Sequence, residues 1–318
     1  MRMAGQEKMR IKMPAMEIKR MSVKKNVFVK MKYWLEKGGE FFGSLLFPPR
    51  CVVCDEILTP EELEKGIHLA CENKLFPVEG AVCMHCGRPL GQIQSRKEKM
   101  QTIHEKKIPG YMRMEYRQEY CRECMRKGYV SVQKGHGQRD MLYGSNLDGS
   151  NITQAKSLYL YKGAIKISMY RFKYGNKREY ARYFARQAIE KYGEWLHTLE
   201  VDVIVPVPMY LPKQRRRGYN QAECFATELS KWTGIPMHKN YIRRVKDTTP
   251  QKNLKDIERK NNLENAFQKT ENIVQYNHIL IVDDIYTTGY TAEAVAKELR
   301  KQGSHHIYLL SICIGGNH

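Results

Sequence analysis

The sequence predicts an α/β protein, a mainly parallel sheet flanked by helices, preceded by a small Cys-rich module. Three observations carry this. From Ser157 onward short apolar runs alternate with segments of helical period. Seven of the nine Cys lie between residues 51 and 124 at two-residue spacings. One apolar run, Ile279–Val282, ends in two adjacent Asp. Strand and helix patterns that alternate imply crossover connections, and therefore parallel pairing.

In chain order, residues 1–32 form a basic tail holding seven of the sixteen Met, without sustained helical spacing. It is expected to be flexible, and Met21 and Met31 are alternative starts. Residues 33–47 are expected to form a short amphipathic helix, packed on its own domain and ended by Pro48 and Pro49. The Cys-rich module then spans 33–130, with a polar insert at 94–118. A linker rich in Gly, Ser, Asn and Asp covers 131–153, and the α/β domain covers 154–318. Within that domain the apolar spacing predicts strands at Leu158–Tyr161, Val201–Val205, Ile279–Val282 and Ile307–Ile314. Helices are predicted at Lys177–Leu196, Asn220–Trp232 and Tyr290–Gln302. The second of these places Ala222, Phe225, Ala226 and Leu229 on one face, the third Ala292, Val295, Ala296 and Leu299.

Lys and Arg total 54 against 34 Asp and Glu, a net charge of +20, concentrated at both ends of the chain while the Cys-rich middle is nearly neutral. That balance favours a polyanionic partner: nucleic acid, anionic lipid or a phosphorylated metabolite. No apolar stretch reaches the length of a membrane span, and no apolar region with a cleavage site follows the basic N-terminus. A cytoplasmic protein is expected.

The Cys pairs are metal ligands on this reading. Cys51 and Cys54, Cys83 and Cys86, and Cys121 and Cys124 are CxxC pairs, and His68 with Cys71 forms HxxC. In a reducing compartment such pairs bind metal rather than close disulfides. A two-residue spacer lets both ligands of one tight turn reach the same ion, and four sulfur or imidazole ligands complete a structural zinc shell with no open position. Gly87 and Gly128, just beyond two of the pairs, suit knuckle turns. Pairing in chain order gives Cys51, Cys54, His68 and Cys71 for one Zn²⁺ and Cys83, Cys86, Cys121 and Cys124 for another, although the spacing alone leaves an interleaved pairing open.

The run from Ile279 to Thr291 carries the second chemical signal. A buried strand delivers Asp283 and Asp284 at its C-terminal end, where open α/β sheets bind ligands. Thr287, Thr288, Gly289 and Thr291 then lead into a helix, whose first amides and hydroxyls suit a phosphate dianion. Two carboxylates repel a phosphate, so they must face sugar hydroxyls or a metal. No GxxxxGK[ST] loop accompanies the strand, which argues against a nucleotidase reading.

This run closely resembles the phosphoribosyl pyrophosphate (PRPP) motif of type I phosphoribosyltransferases. The resemblance implies that Asp283 and Asp284 hold the ribose hydroxyls, that Thr287, Thr288, Gly289 and Thr291 cradle the 5′-phosphate, and that Mg²⁺ accompanies PRPP. Taken with the Cys pairs, Tyr170-Arg171-Phe172-Lys173-Tyr174-Gly175, Val205-Pro206-Val207-Pro208 and Arg217-Gly218-Tyr219-Asn220-Gln221-Ala222, the order of motifs resembles the ComF family of competence-associated, phosphoribosyltransferase-like proteins over residues 33–318. The family's second pair is Cys-Cys, and here His68 takes the first position.

That likeness implies a role in DNA uptake on the cytoplasmic side, with single-stranded DNA and the uptake helicase or processing proteins as partners. It also implies a pyrophosphate loop over Val205–Tyr210 with Arg215, Arg216 and Arg217 beside it. Arg171, Lys173, Arg243, Arg244 and Lys252 are candidates for a DNA backbone, and Tyr159, Tyr161, Tyr170, Phe172 and Tyr174 for stacking on bases or, more in keeping with their pattern, for the core. Cys224 and Cys313 read as inert buried thiols. Purine-type relatives place an acid where this chain has Thr287, so the likeness supports PRPP binding more directly than transfer. A non-catalytic adaptor that binds DNA or senses PRPP is the alternative.

Overall fold

The computed structural model describes residues 48–90, 120–129, 150–246, 263, 265–270 and 274–315. The expected tail, the helix at 33–47, the insert at 94–118, Lys252 and most of the linker lie outside them. The chain divides into two compact units, Met1–Cys51 with Asp55–Gly66, and Val52–Cys54 with Ile67–His318.

The described part of the first unit is a tight turn. The Cys51 amide donates to the Glu56 carbonyl at 2.8 Å, the Asp55 amide returns to Cys51 at 2.9 Å, and Arg50 bridges Ile57 in antiparallel sense.

The second unit holds four parallel strands: β1 (Gln154–Leu160), β2 (Val203–Pro206), β5 (His278–Tyr286) and β6 (His306–Ile314), in the order β1-β6-β5-β2. Ile279 to Val282 and Leu309 to Ile312 are buried without interruption, as expected where helices cover both faces of a parallel sheet. Two single-turn helices, α1 (Leu69–Glu72) and α2 (Arg122–Arg126), belong to the Cys-rich module. Then come α3 (Ala164–Tyr174), α4 (Tyr180–Thr198), α5 (Leu211–Arg217), α6 (Gln221–Thr233) and α7 (Tyr290–Arg300). A small antiparallel pair, β3 (Ile242–Arg244) and β4 (Phe267–Lys269), stands apart from the main sheet.

Each element expected in this domain is present, with ends shifted by a few residues. β5 is longer than expected and takes both Asp into the strand, with Asp283 in register with Ser311 of β6. Asn220 caps α6 by accepting from the Ala222 amide at 3.1 Å, and its own amide group donates to Val207, tying the helix start to the end of β2. Helix α3 and the β3–β4 pair were not expected.

Both sheet edges are occupied. On β1 the Ala155 amide donates to His85, Leu160 donates to Phe76, and the Leu158 carbonyl accepts from Val78, at 2.7–2.8 Å. On β2, Ile204 exchanges bonds of 2.9 Å with Pro236 and His238. Among the described residues, no helix is long and apolar enough to cross a membrane.

Candidate functional site

The ligand pairing resolves in chain order. The ligand atoms of Cys51, Cys54, His68 and Cys71 lie within 4.8 Å of one another, as do those of Cys83, Cys86, Cys121 and Cys124. All nine cysteines are free thiols. In the second group Cys83 Sγ is 3.8 Å from Cys124 Sγ, and Cys86 Sγ is 3.6 Å from Cys121 Sγ. A tetrahedral shell with bonds of about 2.3 Å puts its sulfurs about 3.8 Å apart, so the four buried thiols fit Zn²⁺ as they stand. In the first group Cys54 Sγ is 3.2 Å from His68 Nδ1. Hydrogen bonds among the four thiols lower Cys83 and Cys121 and raise Cys86 and Cys124, as expected of sulfurs packed this closely.

The knuckles are shaped by glycine. Gly87 sits at φ +69°, and a Cβ there would stand 2.6 Å from the Ala155 carbonyl oxygen, so only glycine lets the ribbon lie this close to β1.

The acid pair stands at the C-terminal end of β5. Asp283 Oδ1 accepts from the Asp284 amide at 2.8 Å, and Asp284 Oδ2 pairs with Lys173 Nζ at 2.9 Å. Both groups of that ion pair are largely shielded, with side-chain exposures of 16% for Asp284 and 20% for Lys173. Burial and the neighbouring Asp284 push the Asp283 carboxyl up to about 7. Burial acts to lower the Lys173 ammonium, but the Asp284 charge more than reverses this and holds it above its ordinary value.

Lys173 comes from α3, which no sequence pattern assigned to this place. Ile165, Ser168, Met169 and Phe172 are its buried face, and Phe172 packs against Phe184 and Tyr219 with ring centroids 5.8 Å and 6.1 Å away. Arg171 donates to the Val53 carbonyl at 2.6 Å. Both cations are thus engaged inside the unit, Arg171 by a carbonyl and Lys173 by a carboxylate.

Beyond the acids, Tyr286 is buried and Thr287 exposed, and Gly289 takes φ +82° immediately before α7. A Cβ on Gly289 would lie 2.6 Å from the Tyr286 hydroxyl. The Thr287 and Thr288 carbonyls accept from Arg88 Nη2 at 3.0 Å and Lys127 Nζ at 2.5 Å. Thr291 lies in the first turn of α7. The turn and the first turn of α7 therefore carry Thr287, Thr288 and Thr291 just past the acid pair.

The remaining candidates divide. Arg215 and Arg216 are exposed at the end of α5. Arg217 donates to Gln221 at 2.8 Å and lies over the Tyr174 ring at 4.9 Å. No contact joins these three to the acid pair among the described residues. Tyr159 and Phe172 are core residues, whereas Tyr170 and Tyr174 are 65% and 62% exposed with ring centroids 5.0 Å apart. Cys313 is buried, but Cys224 is only partly so. Arg88, Lys127 and Lys173 are the functional candidates that sequence reasoning passed over or placed elsewhere. A signal existed for two of them: Arg88 lies two residues beyond the Cys83–Cys86 pair and Lys127 three beyond Cys121–Cys124.

Residues 42–125 match the model of a double zinc ribbon domain. Competence protein F of Haemophilus influenzae is 33% identical over 198 residues, which cover 59% of this chain and 86% of that protein. Competence protein ComFC of Bacillus subtilis is 24% identical over 262 residues, covering 80% of this chain and 89% of its own length. Among solved structures, a purine phosphoribosyltransferase from Pyrococcus horikoshii aligns with 42% of this chain and 83% of its own, at a TM-score of 0.27 and 19% identity.

Proposed function

As the chain belongs to the ComF family of competence proteins, we propose that it binds PRPP with Mg²⁺ at the C-terminal end of β5 and acts as a phosphoribosyltransferase-like protein of DNA uptake. The observation that carries this is the succession of Asp283–Asp284, the Thr287–Thr291 turn and the start of α7, with Lys173 poised on the second acid. On this reading the ribose hydroxyls donate to the two carboxylates, and the 5′-phosphate accepts from the turn. Mg²⁺, carried in on the pyrophosphate, neutralises charge on that group when bound.

The residues then divide the work by charge. Asp283 and Asp284 hold the ring and favour positive charge developing on the ribose as pyrophosphate departs. Lys173 offsets one of two adjacent carboxylates that would otherwise be costly to keep ionised together. Thr287 offers no carboxylate to take a proton from an acceptor. The ribbons fit two structural Zn²⁺. DNA, the uptake helicase and processing proteins enter as partners through the family, and the net charge of +20 suits a nucleic-acid backbone.

Calorimetric titration of PRPP with and without Mg²⁺ tests this. Binding is expected only with Mg²⁺, and the double variant Asp283→Asn, Asp284→Asn is expected to weaken it on the order of 100-fold, the loss of two charge-assisted hydrogen-bond acceptors. Folded, zinc-loaded protein without PRPP affinity would overturn the reading. Salt-sensitive single-stranded DNA binding that survives the double variant would favour the adaptor instead, with the exposed Tyr170–Tyr174 pair beside Arg217 as its natural platform.

The acid pair also gives the binding a pH dependence. Burial and the neighbouring Asp284 hold the Asp283 carboxyl up at about 7, and the carboxylate is a stronger acceptor for a ribose hydroxyl than the protonated form. Affinity for PRPP is therefore expected to rise as pH climbs through about 7 and to level off above it. Titrations at several pH values should show a steeper rise in the wild type than in Asp283→Asn, where the ionisation of the ligand's own phosphates at about 6 remains. An identical profile in the two proteins would remove Asp283 from the site.

A further inference from the structure

The second ribbon reaches the turn that follows β5. From Cys86 the chain passes Gly87 to Arg88, whose guanidinium donates to the Thr287 carbonyl at 3.0 Å. From Cys124 the helix α2 runs to Lys127, whose ammonium donates to the Thr288 carbonyl at 2.5 Å. Lys127 is held in turn by Glu123 at 3.2 Å and by the Tyr290 ring, 4.3 Å below it, and its side chain is only 8% exposed. Two cations, one from behind each Cys pair, therefore grip two consecutive peptides.

A second line of contacts runs beside this one. His85 Nδ1 lies 3.2 Å from Cys124 Sγ, and its Nε2 lies 2.8 Å from Ser150 Oγ. Ser150 Oγ is 2.5 Å from the carboxylate of Glu293, which also accepts from the Asn151 amide at 2.8 Å. Glu293 is buried in the first turn of α7. The chain of polar contacts thus begins at a cluster thiol and ends on the helix that the turn introduces.

In a trans peptide the C=O and the following N–H point in opposite directions. Fixing the Thr287 and Thr288 carbonyls toward the ribbon turns the Thr288 and Gly289 amides away from it. Bonding a cation to a carbonyl also polarises the same peptide and strengthens its N–H as a donor. We infer that the second ribbon is a clamp on the phosphate loop, and that Arg88 and Lys127 are its positioning residues, aiming and charging the Thr288 and Gly289 amides for the 5′-phosphate. This rests on the PRPP reading of the turn for its ligand, but not for its mechanics.

The test uses Arg88→Gln and Lys127→Gln in the full-length, zinc-loaded chain, since both leave every candidate metal ligand in place. Two readouts are taken: hydrogen exchange without ligand at the Glu293 amide, which donates to the loop's Gly289 carbonyl at 2.9 Å, and calorimetric affinity for PRPP with Mg²⁺. Each variant is expected to keep two Zn²⁺ by elemental analysis and to keep the protection of β5. The Glu293 amide should exchange about tenfold faster as the loop loosens, PRPP affinity should drop about tenfold, and Arg88→Lys should restore part of both.

Unchanged Glu293 exchange in both variants would overturn the clamp whatever PRPP does. Unchanged PRPP affinity, in variants of a wild type that binds, would overturn it equally. Faster Glu293 exchange alongside a wild type that never binds PRPP would uphold the clamp and reject the ligand, which separates the two readings.

Discussion

Exchanging Cys86 for serine is expected to strip the second zinc and to disorder both knuckles of that ribbon. A hydroxyl is a poor zinc ligand at neutral pH, and structural zinc contributes an apparent ~10–16 kcal/mol to the folding of the segment it closes. Little else can replace it here. Cys83, Cys86, Cys121 and Cys124 are themselves among the buried side chains of the ribbon, and α2 is five residues long, too short to persist alone. Elemental analysis should fall from two zinc per chain to one. The melting temperature should fall by about 10 °C or more, each kcal/mol being worth roughly 2–4 °C in a body of this size. An unchanged metal content would show that the cluster is not a zinc site.

Phe172→Ala is expected to cost about 3–5 kcal/mol, the usual range for emptying a fully buried aromatic site. Phe172 is completely buried between Phe184 and Tyr219, and its carbonyl accepts from the Tyr219 hydroxyl and from Gln221 Nε2. The ring therefore anchors α3 to both α4 and the start of α6. Urea unfolding should show a lower midpoint with little change in slope. Because Lys173 is the next residue, the same variant should weaken PRPP binding even where it is still folded. A loss of stability without a loss of affinity would mean that Lys173 keeps its place through Asp284 alone.

These two residues also mark where the sequence was readable. The zinc clusters were legible because two-residue spacing confines both ligands to one turn, so the pairs identify themselves locally. Only the choice between Cys121–Cys124 and the other pairs as partner of Cys83–Cys86 needed the fold. The β5 strand and its Asp283–Asp284 end were legible for the same reason, since apolar run, acids and turn follow one another without a break.

Helix α3 repeats Ile165, Met169 and Phe172 at helical spacing, but over Tyr170–Gly175 that period is overlaid by aromatic and basic residues that alternate as in a strand or loop. Lys173 could not be placed from sequence at all: its partner Asp284 lies more than 100 residues away, and a Lys flanked by aromatics looks equally suited to a nucleic-acid surface. The three-residue strands β3 and β4 carry too few positions to show an alternation, and their pairing joins residues more than 20 apart. Arg217 shows how one residue admits two readings: a run of three Arg suggests a phosphate site, and a planar cation also packs well on a tyrosine ring, as it does on Tyr174.

The bonds from Phe76, Val78 and His85 to β1 bear on how the sheet avoids pairing with a second copy of itself. A parallel sheet made alone would present the outer side of β1 as a row of unsatisfied amides and carbonyls, a template on which a second chain can assemble. Here that row is filled from the segment before and within the second ribbon, and Lys191 adds its ammonium to the Val78 carbonyl. A fragment beginning after the ribbons would keep every strand and helix of the α/β body yet carry a bare, sticky border. The Cys-rich segment thus doubles as the guard against aggregation of the sheet, and the two parts of the second unit are best produced and handled as one piece.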